Sequence, residues 1–273
     1  MIQKFSANLS MLYTEVTFLD RFEKAAQAGF SAIEFLFSYE AGEQNIKTRL
    51  DDLGLKLVLF NLPAGDIQKG EWGSLSNPRN REYFKKSFTI AIEAALVLQC
   101  ERLNMMFGQR VPEVEWEEQL DCACENLTWA VSQTKTAGVT LLIEALNPTD
   151  FPNYALQRTS AALDVLKKTN HPSVRLLYDV YHAQMTEGNL INTIKANLPV
   201  IGHIQIADVP GRHQPGTGEI NFNAIFSCLE EARYIGYIGL EYKPMADTDA
   251  SLLWLNRKDR FSEEFHIPDG NRL

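Results

Sequence analysis

Cysteine is scarce in this chain, acidic residues outnumber basic ones, and no long apolar run interrupts it. Four cysteines among 273 residues, Cys100, Cys122, Cys124 and Cys228, do not read as a disulfide framework. Cys122 and Cys124 flank Ala123 on a predicted helix, a spacing that points their thiols apart and argues against a clip or a redox pair. All four read as reduced, buried thiols. No apolar run approaches the ~18 residues of a membrane span, and no basic-then-apolar leader opens the chain. The expectation is a cytoplasmic protein with no membrane partner. Lys and Arg total 26 against 35 Asp and Glu, a net charge of -9 with the wrong sign for gripping a phosphate backbone. Nucleic acid is not an expected partner. The same charge repels an anionic metabolite, so a site for one needs a metal ion or converging Arg and Lys side chains.

What is present is a regular alternation. With 45% hydrophobic and 22% charged residues the composition is globular. Short runs rich in Ile, Val, Leu and Phe alternate with stretches of helical periodicity, eight times over. The predicted strands are 3–9, 32–37, 56–61, 102–107, 139–146, 174–179, 201–207 and 237–242. Phe18, Phe22, Ala25 and Ala26 show the helical spacing between the first two, and Gly29 closes that helix. Gly54, Gly138 and Gly236 stand in equivalent places before later strands. This order predicts an α/β fold, a (β/α)8 barrel, as a single domain over residues 1–273. Glycine and proline cluster after predicted strands, in 62–66, 70–73 and 210–218, where a barrel builds its sites.

Four predicted strands run into a polar residue at or near their carboxyl ends: Glu144, Asp179, Gln205 and Glu241. They are separated by roughly 26 to 36 residues each, about one βα unit, so they belong to successive strands five to eight and converge at the barrel mouth. Three carboxylates cannot gather there unpaired without mutual repulsion and raised pKa values. A divalent cation removes the conflict, and an all-oxygen donor set suits Mg²⁺ or Mn²⁺. Such an ion leaves positions open for a substrate with adjacent carbonyl and hydroxyl oxygens and holds the enediolate charge that develops when the carbon-bound proton leaves. His203 lies two residues before Gln205, on the same strand face, so either can be the fourth ligand. His182 opens the loop beyond Asp179, within reach of a substrate oxygen. Arg212, in a Gly/Pro-rich loop, and Lys243, on the face of Glu241, are candidates to hold the substrate anion. Asn8, Glu34, Asn61 and Asn104 end strands one to four with no shared pattern, and read as pocket lining at most.

A family resemblance rests on particular motifs: Phe5-Ser6-Ala7-Asn8-Leu9-Ser10-Met11-Leu12, Asn61-Leu62-Pro63-Ala64-Gly65-Asp66, Asp179-Val180-Tyr181-His182, His203-Ile204-Gln205-Ile206-Ala207-Asp208, Pro215-Gly216-Thr217-Gly218-Glu219-Ile220-Asn221 and Gly239-Leu240-Glu241-Tyr242-Lys243-Pro244. Over nearly its whole length the chain resembles the hydroxypyruvate isomerases, within the xylose isomerase-like barrels. The resemblance implies a divalent metal held by Glu144, Asp179, Gln205 and Glu241, with Glu144 and Glu241 also the acid/base pair. It implies a small 2-oxo acid as substrate, hydroxypyruvate going to tartronate semialdehyde. Isomerases of 2-oxo-tetronate share nearly the same motifs, and a ketose 3-epimerase is an alternative on the same barrel. Trp72 stands after Glu71 where hydroxypyruvate isomerases more often carry arginine, which shifts the anion toward Arg212, Lys243 or the backbone near Asp66 to Trp72. A multi-zinc DNA-repair endonuclease, the other chemistry of these barrels, needs more than the five histidines present and a basic surface. A homo-oligomer is left open.

Overall fold

A computed structural model describes residues 3–37, 39–134 and 138–261, so both ends of the predicted 1–273 domain lie outside the described residues. Eight parallel strands close into a barrel in chain order: β1 (Lys4–Asn8), β2 (Ala32–Glu34), β3 (Lys56–Asn61), β4 (Arg102–Asn104), β5 (Thr140–Glu144), β6 (Val174–Asp179), β7 (Ile201–Ile206) and β8 (Tyr237–Leu240). The ring closes where β1 pairs with β8, Phe5 opposite Ile238 and Ala7 opposite Leu240. Helices α1 (Asp20–Gln27), α2 (Glu43–Leu53), α3 (Arg81–Leu98), α4 (Trp116–Thr134), α5 (Thr159–Thr169), α6 (Val180–Thr186), α7 (Leu190–Asn197), α8 (Phe222–Glu231) and α9 (Thr248–Ser251) follow in chain order. Among the described residues no helix is long and apolar enough to cross a membrane. The four cysteines are free and buried, and burial pushes the Cys100 thiol up to about 12.

Each predicted strand is present, but several are shorter than their apolar runs. β4 ends at Asn104, and Phe107 instead bridges Gly73 in antiparallel fashion. Gly73 is obligatory at this crossing, because its φ is +105° and a Cβ would stand 2.1 Å from the Met106 carbonyl oxygen. The predicted strand of 102–107 is thus a three-residue ladder followed by loop packing that mimics strand burial.

Alternation along the strands sorts side chains into two environments. Residues such as Leu141, Ile143, Leu176 and Ile204 belong to the large cluster that packs strands against helices. Their neighbours turn inward, where Ala32, Leu59, Leu142, Leu177 and Tyr237 belong to a separate apolar cluster. Two residues further along the same strands the inward positions become polar: Glu34, Asn61, Glu144 and Asp179, with Gly239 after Tyr237. An apolar floor therefore carries a polar layer at the carboxyl end of the barrel. Parallel pairing puts Asp179 opposite Gln205 and Gln205 opposite Gly239, which fixes the neighbours in that layer.

Candidate active site at the carboxyl end of the barrel

Glu144, Asp179, Gln205 and Glu241 are all buried where β5 to β8 end. Asp179 serves two purposes, since its Oδ1 accepts from the Tyr181 and His182 backbone amides and caps α6 while its Oδ2 accepts from Arg212. Arg212 reaches between two of the acids. One terminal nitrogen lies 3.2 Å from Asp179 Oδ2 and 3.1 Å from Glu241 Oε1, and its Nε donates to the Glu241 carbonyl at 3.3 Å. Its guanidinium also stands over the Tyr181 ring, 5.0 Å from the centroid. Glu144 accepts from Asn104 Nδ2 at 2.8 Å.

One guanidinium does not balance three buried carboxylates. Burial, joined by repulsion from Glu241 and Asp179, pushes Glu144 well above the ordinary carboxylate range. Burial lifts Glu241 to about 8 against the pull of Arg212, and Asp179 is raised for the same reason. Arg212 itself is held more firmly charged by Glu241, Asp179 and Glu144, which outweigh its own burial. The cluster is short of positive charge.

Beside it lies a second group, gathered around Glu34, that sequence reasoning missed. Glu34 is fully buried, and its Oε2 contacts Ser6 Oγ and His203 Nε2, each at 2.8 Å. Its Oε1 accepts from Gln205 Nε2 at 2.8 Å and from Asn8 Nδ2 at 3.2 Å. Burial alone would raise the Glu34 carboxyl, but His203, Gln205 and Ser6 outweigh it and hold it below the usual range. His203 is therefore engaged with Glu34 inside the barrel. Gln205 keeps its Oε1 buried with no hydrogen-bond partner.

His182 belongs to the cluster through position and tautomer. Glu144, Asp179 and His182 each offer a ligand atom within 4.8 Å of the others, and His182 Nε2 lies 3.6 Å from Asp179 Oδ2. Its Nδ1 accepts from the Asn147 backbone amide at 3.2 Å, which leaves the proton on Nε2. Burial and then Arg212 depress its pKa well below 6.5, so it is neutral. Phe151 packs edge-on against both His182, at 5.7 Å, and Trp72, at 4.9 Å. Trp72 thus joins an aromatic wall beside the carboxylates.

The remaining candidates fall further out. Asn61 is buried at the end of β3, its carbonyl receiving the Tyr39 hydroxyl at 2.7 Å. Asp66 is exposed, caps the turn Ile67–Lys69 and pairs with Lys69 at 2.8 Å. Lys243 is exposed beside a cleft of about 320 Å³ with Ser10, Glu15 and Thr248, rather than among the carboxylates. Arg212, predicted to contact substrate, is brought into the cluster itself. Its loop hangs on Asp208, a buried carboxylate accepting from the backbone amides of Val209, Gly216, Gly218 and Ile220 at 2.8 to 3.1 Å.

Comparison with known proteins decides the family. The family model described as xylose isomerase-like TIM barrel matches residues 22–258. The chain belongs to that family. A 2-oxo-tetronate isomerase of Haemophilus influenzae is 42% identical over 93% of this chain and 98% of its own length. A hydroxypyruvate isomerase of Escherichia coli is 40% identical over the same shares, 93% and 98%. Among solved structures, one titled AP endonuclease, family 2, from Brucella melitensis superposes with a TM-score of 0.90 at 37% identity, covering 93% of this chain and 98% of that one. With relatives of this name and identity over nearly the full length, this family member is an enzyme of the isomerase type.

Proposed function

We propose that this isomerase acts on a small 2-oxo-3-hydroxy acid with the help of one divalent metal ion, and that hydroxypyruvate, going to tartronate semialdehyde, is the simplest substrate. The observation that carries the metal is the donor set. Three buried carboxylates face a single guanidinium, and the Gln205 Oε1 beside them has no partner. Glu144, Asp179, Gln205 and Glu241 would hold the ion, and the hardness of four oxygens favours Mg²⁺ or Mn²⁺. When bound, the ion would supply Lewis acidity to the neighbouring carbonyl and hydroxyl oxygens of the substrate.

The chain's own groups divide the proton work. Glu144 and Glu241 enter from different strands, and in the metal-free chain burial makes both stronger bases than an ordinary carboxylate, a shift that suits groups that take and return a proton. One removes the proton from the hydroxyl-bearing C3, giving an enediolate. A proton returns to C2 while the hydroxyl proton passes between the two oxygens, so that the ketone becomes the aldehyde with no net change in atoms or electrons. His182, neutral and with its Nε2 proton turned toward the site, is a donor to a substrate oxygen rather than a metal ligand. Arg212 stands close enough to the carboxylates to draw the substrate anion inward.

A second substrate, 2-oxo-tetronate, is favoured by Trp72. Its ring is packed on Phe151, so it extends the apolar wall and offers no charge. The Haemophilus relative bears that substrate's name at 42% identity. Endonuclease chemistry, which the Brucella title names, conflicts with the charge of -9 and with an arginine already committed to two carboxylates. The deciding experiment offers hydroxypyruvate, 2-oxo-tetronates and free ketoses to the Mn²⁺-loaded protein and follows products by proton NMR. Turnover of ketoses alone would sink the 2-oxo acid assignment, and full activity after exhaustive chelation would sink the metal.

A further inference from the structure

We infer that Glu34 is a positioning residue: from the end of β2 it sets which way the Gln205 amide faces, and so presents an oxygen rather than an NH₂ group to the metal position. This rests on the proposed role of Gln205 as a ligand.

An amide is nearly symmetric in shape, so packing alone does not choose between its two orientations. Only a neighbour of fixed polarity does. Glu34 Oε1 is fixed as an acceptor by its surroundings, because Asn8, whose own Oδ1 already accepts from the Ser10 amide, turns its NH₂ group to that oxygen at 3.2 Å. That oxygen, 2.8 Å from Gln205 Nε2, draws the NH₂ group toward β2 and leaves the Gln205 Oε1 on the opposite side of the amide. That oxygen is buried and unpartnered, whereas the other side of the amide is satisfied. Burying a carboxylate is costly unless it is fully hydrogen-bonded, and here Ser6 and Asn8 of β1 and His203 of β7 complete the set.

The partner strand confirms that space is reserved for this carboxylate. Gly239 lies directly opposite Gln205, and a Cβ there would stand 2.3 Å from Glu34 Oε1. Any larger residue at 239 displaces the carboxylate that orients the amide. The same contacts account for His203, which shares the inward face with Gln205 yet is drawn toward Glu34 and away from ligation.

The test measures Mn²⁺ affinity directly, by the electron paramagnetic resonance signal of free Mn²⁺, alongside circular dichroism and the metal-free melting temperature. Glu34→Gln, able to donate where the carboxylate accepts, should raise the Mn²⁺ Kd at least about 10-fold, the usual effect of losing a group that orients a ligand. Gly239→Ala should act in the same direction. Gln205→Glu alone sets two carboxylates against each other and should also weaken binding. In the exchange variant carrying both Glu34→Gln and Gln205→Glu, an amide again donates to a carboxylate, and affinity should return to within about threefold of the parent, a rescue that lost packing would not give. If Glu34→Gln does not fold alone, the exchange variant carries the test, and weak Mn²⁺ binding there overturns the inference. Unchanged affinity in Glu34→Gln together with a loss in Gln205→Ala overturns the positioning role while leaving Gln205 a ligand. Unchanged affinity in Gln205→Ala removes Gln205 from the metal site, and the reading of the donor set fails with it.

Discussion

Raising the pH should destabilise the metal-free protein over the range where most proteins change little, and the carboxylate cluster gives the size. Glu241 holds its proton up to about 8 when folded against 4.5 for an ordinary glutamate. The folded chain therefore binds this proton more tightly than the unfolded one. Stability from it is fully present below pH 4.5 and is lost as pH rises through about 8. Each pH unit crossed in that window removes about 1.4 kcal/mol. Glu144 is shifted in the same direction and adds to the loss. His182 works the opposite way: its folded value lies well below 6.5, so its contribution rises with pH up to about 6.5 and is level beyond, and the clean window opens there. From about pH 7 to about 8.5 the expected loss is on the order of 2 kcal/mol, or roughly 4–8 °C in melting temperature for a chain of this length. The assay is thermal unfolding in a chelator and, in parallel, in excess Mn²⁺. Metal competes with the same protons and binds more tightly as they leave, so the two curves should diverge with pH. A chelated melting temperature that stays level or rises over this window refutes the argument, as does a Mn²⁺ curve falling equally fast.

Other substitutions separate the roles. Glu144→Gln and Glu241→Gln should each lower kcat by at least about 100-fold, since an amide keeps an oxygen but takes no proton; wild-type turnover in either variant removes that residue from the chemistry. Turnover in deuterated water should place deuterium on the product carbon, read by proton NMR, and complete absence of label points to a hydride shift or a shielded proton. Arg212→Met strips the guanidinium from a buried cluster and should cost the metal-free protein about 3 kcal/mol or more at pH 8, largely recovered by Mn²⁺, with a raised KM for the 2-oxo acid. An unchanged KM would confine Arg212 to balancing the acids. Asp208→Ala frees the amides of four loop residues and should raise KM through Arg212 while leaving Mn²⁺ affinity within about threefold; equal loss of both would make the loop part of the metal site.

The barrel was legible because its information is local. Eight runs of branched and aromatic residues, each followed by helical spacing, identify eight strands whatever they later contact, and the ladders fall inside the predicted ranges. That Glu144, Asp179, Gln205 and Glu241 would lie together at the strand ends was legible for a related reason, since a parallel barrel repeats one unit and brings equivalent strand ends together. Glu34 occupies the same kind of strand end, yet its meaning is set by His203, 169 residues away, and Gln205, 171 residues away. No spacing rule relates them. Strand spacing alone left His203 and Gln205 as alternatives for want of that one contact, and only the family resemblance favoured Gln205. Trp72 was conspicuous as a missing arginine, but that it packs on Phe151 beside His182 depends on the loops after β3 and β5 meeting.

The position of Arg212 brings the charge argument back to its beginning. A chain of net charge -9 must attract an anion to a pocket that already holds three carboxylates, and a divalent ion alone offsets only two of those charges. Arg212 supplies the third. Its side chain is buried, reaches Asp179 and Glu241 at 3.2 and 3.1 Å, and is fixed by a loop anchored on Asp208 and by the Tyr181 ring. With the proposed metal and the arginine together the cluster would be neutral, so a substrate carboxylate would meet no net repulsion, and each proton that Glu144 or Glu241 accepted would make the pocket more positive as the substrate became more negative. Without the metal, burial keeps protons on these acids to higher pH against the pull of Arg212, so the metal-free and metal-bound proteins should differ most above neutrality.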